Sequence, residues 1–372
     1  MKTAIGLMSG TSMDGIDIAL VHTDGCDKVE FGPSMAVDYP ADFRRRIETG
    51  LLEAAAIKER TDRPANIVEL ERELTHRHGQ AVQQFLQSYD LKVENIDLLG
   101  FHGQTVLHRP DDQLTVQLGD GAQLAAASRI DVVYDMRAAD MLVGGQGAPL
   151  VPVFHQALAR ASQLKHPVCF VNIGGISNIT YVDGEELIAF DSGPGNALID
   201  QWVQAKGGIP YDQGGQIASE GGVVQPIVDK YLASKFFQKS GPKSLDRGDF
   251  KPLDPGAAEL SDGARTLAHV TAASIYKSVE HLPKAPATWV LCGGGRLNNA
   301  IVGDLKLLAG QSSGEVILSE QAGLQGDMLE AQAFAYLAVR SQLGLPLTFP
   351  TTTGCTEPTS GGVLATAPSA SN

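Results

Sequence analysis

Long apolar runs are missing from this chain of 372 residues. Its apolar stretches break within about ten residues, against the roughly 20 that a membrane-spanning helix needs. Near the N-terminus, Ala4 to Met8 turns polar at Ser9 and meets Asp14 and Asp17, which leaves too short a core for a secretory signal. These absences lead us to expect a cytoplasmic protein with no membrane partner. Cysteine is scarce too. Cys26, Cys169, Cys292 and Cys355 stand far apart without a Cys-x-x-Cys pair, which argues against a disulfide scaffold or a zinc ribbon. Cys169 and Cys292 lie inside strand-like runs and read as small buried hydrophobes. Basic residues are outnumbered, 29 Lys and Arg against 43 Asp and Glu, for a formal charge of −14. Such a surface repels polyanions, so no nucleic-acid partner is expected. Common catalytic signatures are also absent: no Gly-Lys-Ser/Thr, no G-x-G-x-x-G and no H-E-x-x-H. A bound nucleotide would therefore need a different kind of site.

What is present has the rhythm of two α/β halves. Thr3–Met8 and Asp17–His22 read as strands joined by a Gly/Ser/Thr turn, with a third near Val29–Tyr39. Ile67, Leu70, Leu74, Ala81 and Phe85 keep helical spacing, and strands return at Asp97–Phe101, Leu114–Leu118 and Asp131–Tyr134. The pattern then restarts with Val168–Ile173, Asn178–Val182 and Leu187–Phe190, followed by a helix through Ile199 and Val203. Thr288–Cys292 and Val316–Leu318 read as further strands, and Met328–Leu343 as a helix of high-propensity residues. The tail from Thr359 reads as a frayed end. The length suits two domains, which we expect at 1–145 and 146–372. Two such halves suggest a clefted enzyme that closes by a hinge.

Three glycine turns follow strands. The first is 8–15, where small residues would let phosphate approach the backbone of Gly10, and Thr11 and Ser12 add hydroxyl donors. Asp14 would repel bare phosphate but suits a hydrated magnesium ion held by phosphates. Such a turn alone reads equally as a plain hairpin. The second turn, 191–196, holds the matching place in the second half. The third is Gly293, Gly294 and Gly295, costly in folding entropy unless something must pass close to the backbone. Taken together, the three favour nucleotide binding.

The ordered set of motifs resembles the anhydro-N-acetylmuramic acid kinase family, within the actin/Hsp70/hexokinase-like superfamily. The segments are GLMSGTSMDGID at 6–17, FHGQT at 101–105, GGQGAPLVP at 144–152, NIGGISN at 172–178, FDSGPGN at 190–196 and CGGG at 292–295. The likeness covers nearly the whole chain. It implies a two-domain, actin-like ATPase (ribonuclease H-like) α/β fold with a cleft between the domains. It also implies a homodimer, an amino-sugar substrate, and ATP and Mg2+ as cofactors. In the reaction implied, water opens the 1,6-anhydro ring while ATP phosphorylates O6, in cell-wall recycling.

By the same resemblance, Asp191 is the base that deprotonates water, and Glu330 a second acid that positions sugar or water. Read as single residues, Asp191 is equally a helix N-cap and Glu330 an ordinary helix-surface carboxylate. Gly10, Thr11, Ser12, Met13, Asp14, Gly15, Ile16 and Asp17, with Gly174, Gly193, Gly293, Gly294 and Gly295, form the expected nucleotide set. Magnesium is expected on phosphate oxygens and water, with Asp14 the candidate protein contact. Arg137 is the candidate for the sugar's lactyl carboxylate, which a planar guanidinium can grip through two parallel hydrogen bonds; a salt bridge to Asp135 or Asp140 is the competing reading. The family often has more arginines where this chain has Ala138 and Ala139. His102, Gln104 and Asp120 are the remaining sugar-side candidates, His102 reading also as a satisfied buried histidine. Lys243, Ser244 and Arg247 resemble a family segment, but Leu245 and Asp246 replace its small residues. The alternatives are another kinase of this fold acting on a hexose, acetate or polyphosphate, an Hsp70-like ATP clamp, and an ATP-independent hydrolase.

Overall fold

A computed structural model describes residues 1–10, 12–245 and 248–368. The chain opens with an antiparallel meander of β1 (Lys2–Ser9), β2 (Gly15–Thr23) and β3 (Val29–Asp38). Most of β1 and β2 is buried, so both carry continuous apolar runs, whereas β3 at the sheet edge is half-exposed. Helices α1 (Ala41–Ala54) and α2 (Ile67–Ser88) lead to β4 (Leu98–Arg109), which runs parallel to β1. The buried stripe of α2, including Ile67, Leu70, Leu74, Ala81 and Phe85, follows the expected helical spacing. Next, β5 (Leu114–Leu118) folds back on β4, and α3 (Gly121–Ser128) crosses to β6 (Val132–Tyr134), parallel to β4. Helices α4 (Ala138–Leu142) and α5 (Pro152–Ala161) follow.

The same plan then repeats. An antiparallel meander of β7 (Val168–Ile173), β8 (Ile176–Asp183) and β9 (Glu186–Pro194) leads into α6 (Ala197–Gly207). Helices α7 (Gln216–Ser219), α8 (Gln225–Leu232) and α9 (Leu260–Lys277) precede β10 (Thr288–Cys292), parallel to β7. Helix α10 (Asn299–Gly310) crosses to β11 (Glu315–Leu318), parallel to β10. Finally come α11 (Leu329–Gln342), α12 (Pro350–Thr353) and β12 (Val363–Ala365).

The first sheet runs β12-β6-β4-β1-β2-β3 with β5 beside β4, and the second β11-β10-β7-β8-β9. Each is a meander extended by parallel strands through helical crossovers, the duplicated plan of the actin-like α/β fold. Among the described residues no helix is long and apolar enough to cross a membrane.

Two compact units result, 1–161 with 328–372, and 162–327. This division differs from the expected 145/146 boundary because α11 returns to the first sheet. A Cβ added at Gly6 would lie 1.8 Å from the Ala331 carbonyl oxygen, and one at Gly100 would lie 2.0 Å from that of Phe334. Only glycine on β1 and β4 lets the helix backbone lie this close. The tail also departs from the sequence reading. Instead of fraying at Thr359, it pairs β12 with β6, and Ala367 N–H donates to Asp131 at 2.8 Å. Strand β4 runs eight residues beyond the expected Phe101, because its second half pairs with β5.

Candidate active site

In the first unit, β1 ends in a cluster that fixes the following turn. Buried Ser9 donates from Oγ to Gln104 Oε1 at 2.7 Å and lies 3.0 Å from the Tyr39 hydroxyl. Gln104 Nε2 donates to the Gly10 carbonyl at 3.2 Å. Both ends of the Gln104 amide thus face the turn, which makes this residue a support for Gly10 within the protein. Met13 N–H closes back on Gly10 O at 3.2 Å, and Ser12 Oγ donates to Asp14 Oδ1 at 2.6 Å. Ser12 and Asp14 are exposed, whereas Ile16 packs in the core and Gly15 and Asp17 already belong to β2. Thr11 lies outside the described residues. A Cβ at Gly10 would meet nothing closer than 3.7 Å, so the fold itself leaves room beside this backbone.

A second cluster forms at the end of β4 and the start of α4. His102 Nδ1 lies 2.7 Å from Gly103 O, and His102 Nε2 lies 3.0 Å from Arg137 Nη2. A guanidinium can only donate, so Nε2 accepts and the proton sits on Nδ1. Burial and the Arg137 charge agree with this neutral tautomer, pushing the His102 pKa down to about 3. The satisfied-histidine reading is therefore met, and His102 also orients the arginine. Arg137 Nη1 donates to Gly147 O at 2.9 Å, and Arg137 Nε is buried without a partner.

Neither competing salt bridge forms. Asp135 pairs with Arg60 at 2.5 Å, and the buried Asp140 accepts from Gly147 N and Thr353 Oγ1 at 2.7 and 2.6 Å. Burial pushes the Arg137 pKa down only to about 10, with the charges of Glu330 and Asp140 opposing the fall, so it remains a cation. Glu330 stands exposed in the first turn of α11, where a carboxylate suits the helix dipole. Protein crowding around it raises its pKa, against the pull of Arg137. Asp120 sits at the N-terminus of α3. It caps α3 by accepting from Gln123 N at 3.0 Å.

In the second unit, Asp191 lies within β9, opposite Asn178 and beside a register shift at Ser177. Bulges of this kind re-aim side chains next to active sites. The N-cap reading of Asp191 is set aside, since position Asn196 precedes α6 and Asp191 is in the strand. Asp191 Oδ2 accepts from Leu245 N at 2.8 Å, and Asp191 N donates to Lys243 O at 2.9 Å. Lys243 is itself buried, its ammonium donating to Lys239 O at 2.9 Å over the rings of Phe190 and Phe236; burial pushes its pKa down to about 8. Asp246 and Arg247 lie outside the described residues. The sequence flagged Lys243 by side chain, but it is backbone groups of this segment that hold Asp191. Such donors leave no mark on residue type.

The glycines divide by what surrounds them. Gly293 adopts φ 72° with its missing Cβ 2.3 Å from Asn172 Oδ1, and Gly193 and Gly295 are equally crowded, by Ser274 and Ile173. Those three are required by the fold. Gly294 has no atom within 4 Å of its missing Cβ, and it precedes α10, whose N-terminus is capped by Asn298. Gly174 is also uncrowded, but its carbonyl accepts from Asn196 N at 2.7 Å. Gly10 and Gly294 are thus the candidate positions whose side-chain space a ligand could take. Among the described residues no three His, Cys, Asp or Glu side chains converge on a metal position.

The model of the family described as anhydro-N-acetylmuramic acid kinase matches residues 2–367. A protein of that name from Rhizobium etli is 55% identical over 368 residues, covering 98% of this chain and 99% of that protein. One from Agrobacterium fabrum is 55% identical over 370 residues, covering 99% of each. Among solved structures, component A of the (R)-2-hydroxyglutaryl-CoA dehydratase of Acidaminococcus fermentans aligns with 92% of this chain and 100% of its own, at 11% identity and a TM-score of 0.46. On the strength of the family model and the two 55% identical relatives, the chain belongs to the anhydro-N-acetylmuramic acid kinase family.

Proposed function

We propose that this enzyme is an ATP-dependent kinase that opens the 1,6-anhydro ring of anhydro-N-acetylmuramic acid and phosphorylates O6, in the cytoplasmic recycling of cell-wall sugars. The observation that carries the reading beyond family membership is Arg137, a guanidinium with no ion pair among the described residues. A buried cation without a carboxylate of its own suits an acidic sugar and has no task on a plain hexose.

In this reading Asp191 Oδ takes a proton from water as the water oxygen bonds to C1. The C1–O6 bond breaks, its electron pair stays on O6, and O6 takes the γ-phosphoryl group. ADP leaves, and the proton passes from Asp191 to solvent. The scissile oxygen serves both as leaving group and as phosphoryl acceptor, so ring strain supplies the nucleophile. Glu330 positions sugar or water, and His102 holds Arg137 toward the lactyl carboxylate. The backbones of Gly10 and Gly294, with Ser12, leave space and donors for the nucleotide. Magnesium, riding on phosphate oxygens and water with Asp14 as a contact, would neutralise charge on the transferring group.

The test is ADP release with Mg-ATP and each of three sugars. Release with the 1,6-anhydro sugar, and little with open-ring N-acetylmuramic acid or glucose, is expected. Equal release with the open-ring sugars would replace this reading with a kinase that does not open rings. Anhydro-sugar turnover without ATP would instead indicate a hydrolase.

A further inference from the structure

Arg137 and Asp140 stand three residues apart at the start of α4, the spacing at which opposite charges on a helix usually pair. Here they do not. Both turn to the same residue: Asp140 Oδ2 accepts from Gly147 N at 2.7 Å while Arg137 Nη1 donates to Gly147 O at 2.9 Å. The other Asp140 oxygen accepts from Thr353 Oγ1 at 2.6 Å. Gly147 has no freedom to drift, since its φ is 71° and its missing Cβ would lie 2.8 Å from Met141 Sδ. The preceding turn is tied down as well, Gly145 N donating to Asp140 O and Gln146 N to Thr353 O, each at 2.9 Å.

We propose that Asp140 is a positioning residue for substrate binding, holding the 144–147 turn so that Arg137 is kept away from its own helix carboxylate and available to an anion. The proposal rests on the reading of Arg137 as the contact for the sugar's lactyl carboxylate. Asp140 never meets the substrate in this account; it acts through Gly147. Its buried charge has two jobs at once. It accepts from a backbone N–H and a hydroxyl, which satisfies it without an arginine, and its field favours the charged form of Arg137. Replacing Asp140 by Asn keeps the shape but removes the charge. The amide oxygen still accepts from Gly147 N and the Thr353 hydroxyl turns to accept from the amide N–H, so both anchors of the turn fall from charge-assisted to neutral bonds and Arg137 loses a neighbouring negative charge.

The experiment is a double-mutant cycle of Arg137→Ala and Asp140→Asn on the full chain, with two substrates and ATP saturating. One substrate is 1,6-anhydro-N-acetylmuramic acid; the other is 1,6-anhydro-N-acetylglucosamine, which lacks the carboxylate. Asp140→Asn is expected to raise KM for the acidic sugar about tenfold, the scale of one hydrogen bond to a charged group, and to leave the neutral sugar's kinetics unchanged. The double variant should be no worse than Arg137→Ala alone. Equal losses on both sugars, or losses that add to those of Arg137→Ala, would overturn the proposal in favour of a purely structural role. Should Asp140→Asn fail to fold, Thr353→Val replaces it: a smaller rise with the same substrate dependence supports the proposal, and no rise overturns it. If Arg137→Ala itself leaves KM for the acidic sugar unchanged, the carboxylate reading fails, an outcome distinct from failure of Asp140 alone.

Discussion

The two units share a strand order but treat their first hairpin in opposite ways. In the second unit, β7 and β8 meet through Gly174 and Gly175 alone, and both carbonyls accept N–H groups leading into α6, from Gly195, Asn196 and Ala197. That turn is closed by its own helix. In the first unit five residues separate β1 from β2, and Ser12 and Asp14 project into solvent beside an uncrowded Gly10. Arg137 differs from two arginines of the second unit in the same sense. Arg296 is buried against Glu320 and Asp327, and Arg265 is bidentate to Asp304 at 2.6 and 2.7 Å. In the first unit Arg137 has a histidine and a carbonyl but, among the described residues, no carboxylate. One topology can thus be finished as scaffold or as binding surface, and function is decided in turns and pairings, below the level of strand order.

The largest effect that would sharpen this contrast is expected at the one reactive group assigned to the second unit. Asp191→Asn should lower kcat by about 10²–10⁴, the usual worth of a general base, with KM for ATP unchanged. A steady-state ADP assay decides it, and a loss confined to KM would remove Asp191 from the chemistry. Next come the two arginines. Arg137→Ala should raise KM for the acidic sugar by about 10- to 100-fold and barely change Tm. Arg265→Ala should do the reverse, leaving KM alone and costing about 2 kcal/mol because buried Asp304 loses two bonds. If both variants behave alike in kinetics and melting, paired and unpaired arginines have no separate meaning here.

A finer test uses adjacent glycines. Gly293→Ala forces a Cβ into Asn172 at φ 72° and should lower Tm, whereas Gly294→Ala meets open space and should change KM for ATP instead. The smallest effect concerns pH. His78, His102, His108 and His155 all lie in the first unit, and burial pushes their pKa values down to about 4, 3, 4 and 3. A histidine whose folded pKa is depressed favours the neutral form, so its contribution is fully present above its ordinary value of 6.5. That contribution is lost as pH falls from there toward the folded values. Peptide-resolved hydrogen exchange at pH 5 against pH 7 should show protection falling more in the first unit than in the second. Equal falls would count against the assignment.

Much of the fold is legible in sequence where burial is two-sided. The apolar runs of β1, β2, β7 and β10 carry their own signal. Helix α1 escaped because only Phe43, Ile47, Gly50 and Ala54 face inward, and two of these are small. Helix α9 escaped for a like reason, its buried face including Gly263, Ala264, Ala268 and Ala272. The pairing of β12 with β6 joins residues more than two hundred positions apart, beyond any local pattern. In the candidate site, the family resemblance pointed to Arg137, His102 and Asp191, but nothing in the sequence pointed to their partners. The Leu245 N–H on Asp191 and the Gly147 peptide between Arg137 and Asp140 are backbone groups, which every residue carries alike.

The central claim, that hydrolysis and phosphoryl transfer are one reaction, is tested most directly by product analysis in heavy-oxygen water. With Mg-ATP and the anhydro sugar, the account predicts one open-ring sugar 6-phosphate per ADP. Its label should sit on the anomeric oxygen, with none in the phosphoryl group. An intact anhydro ring, or label appearing in free phosphate instead, would contradict it.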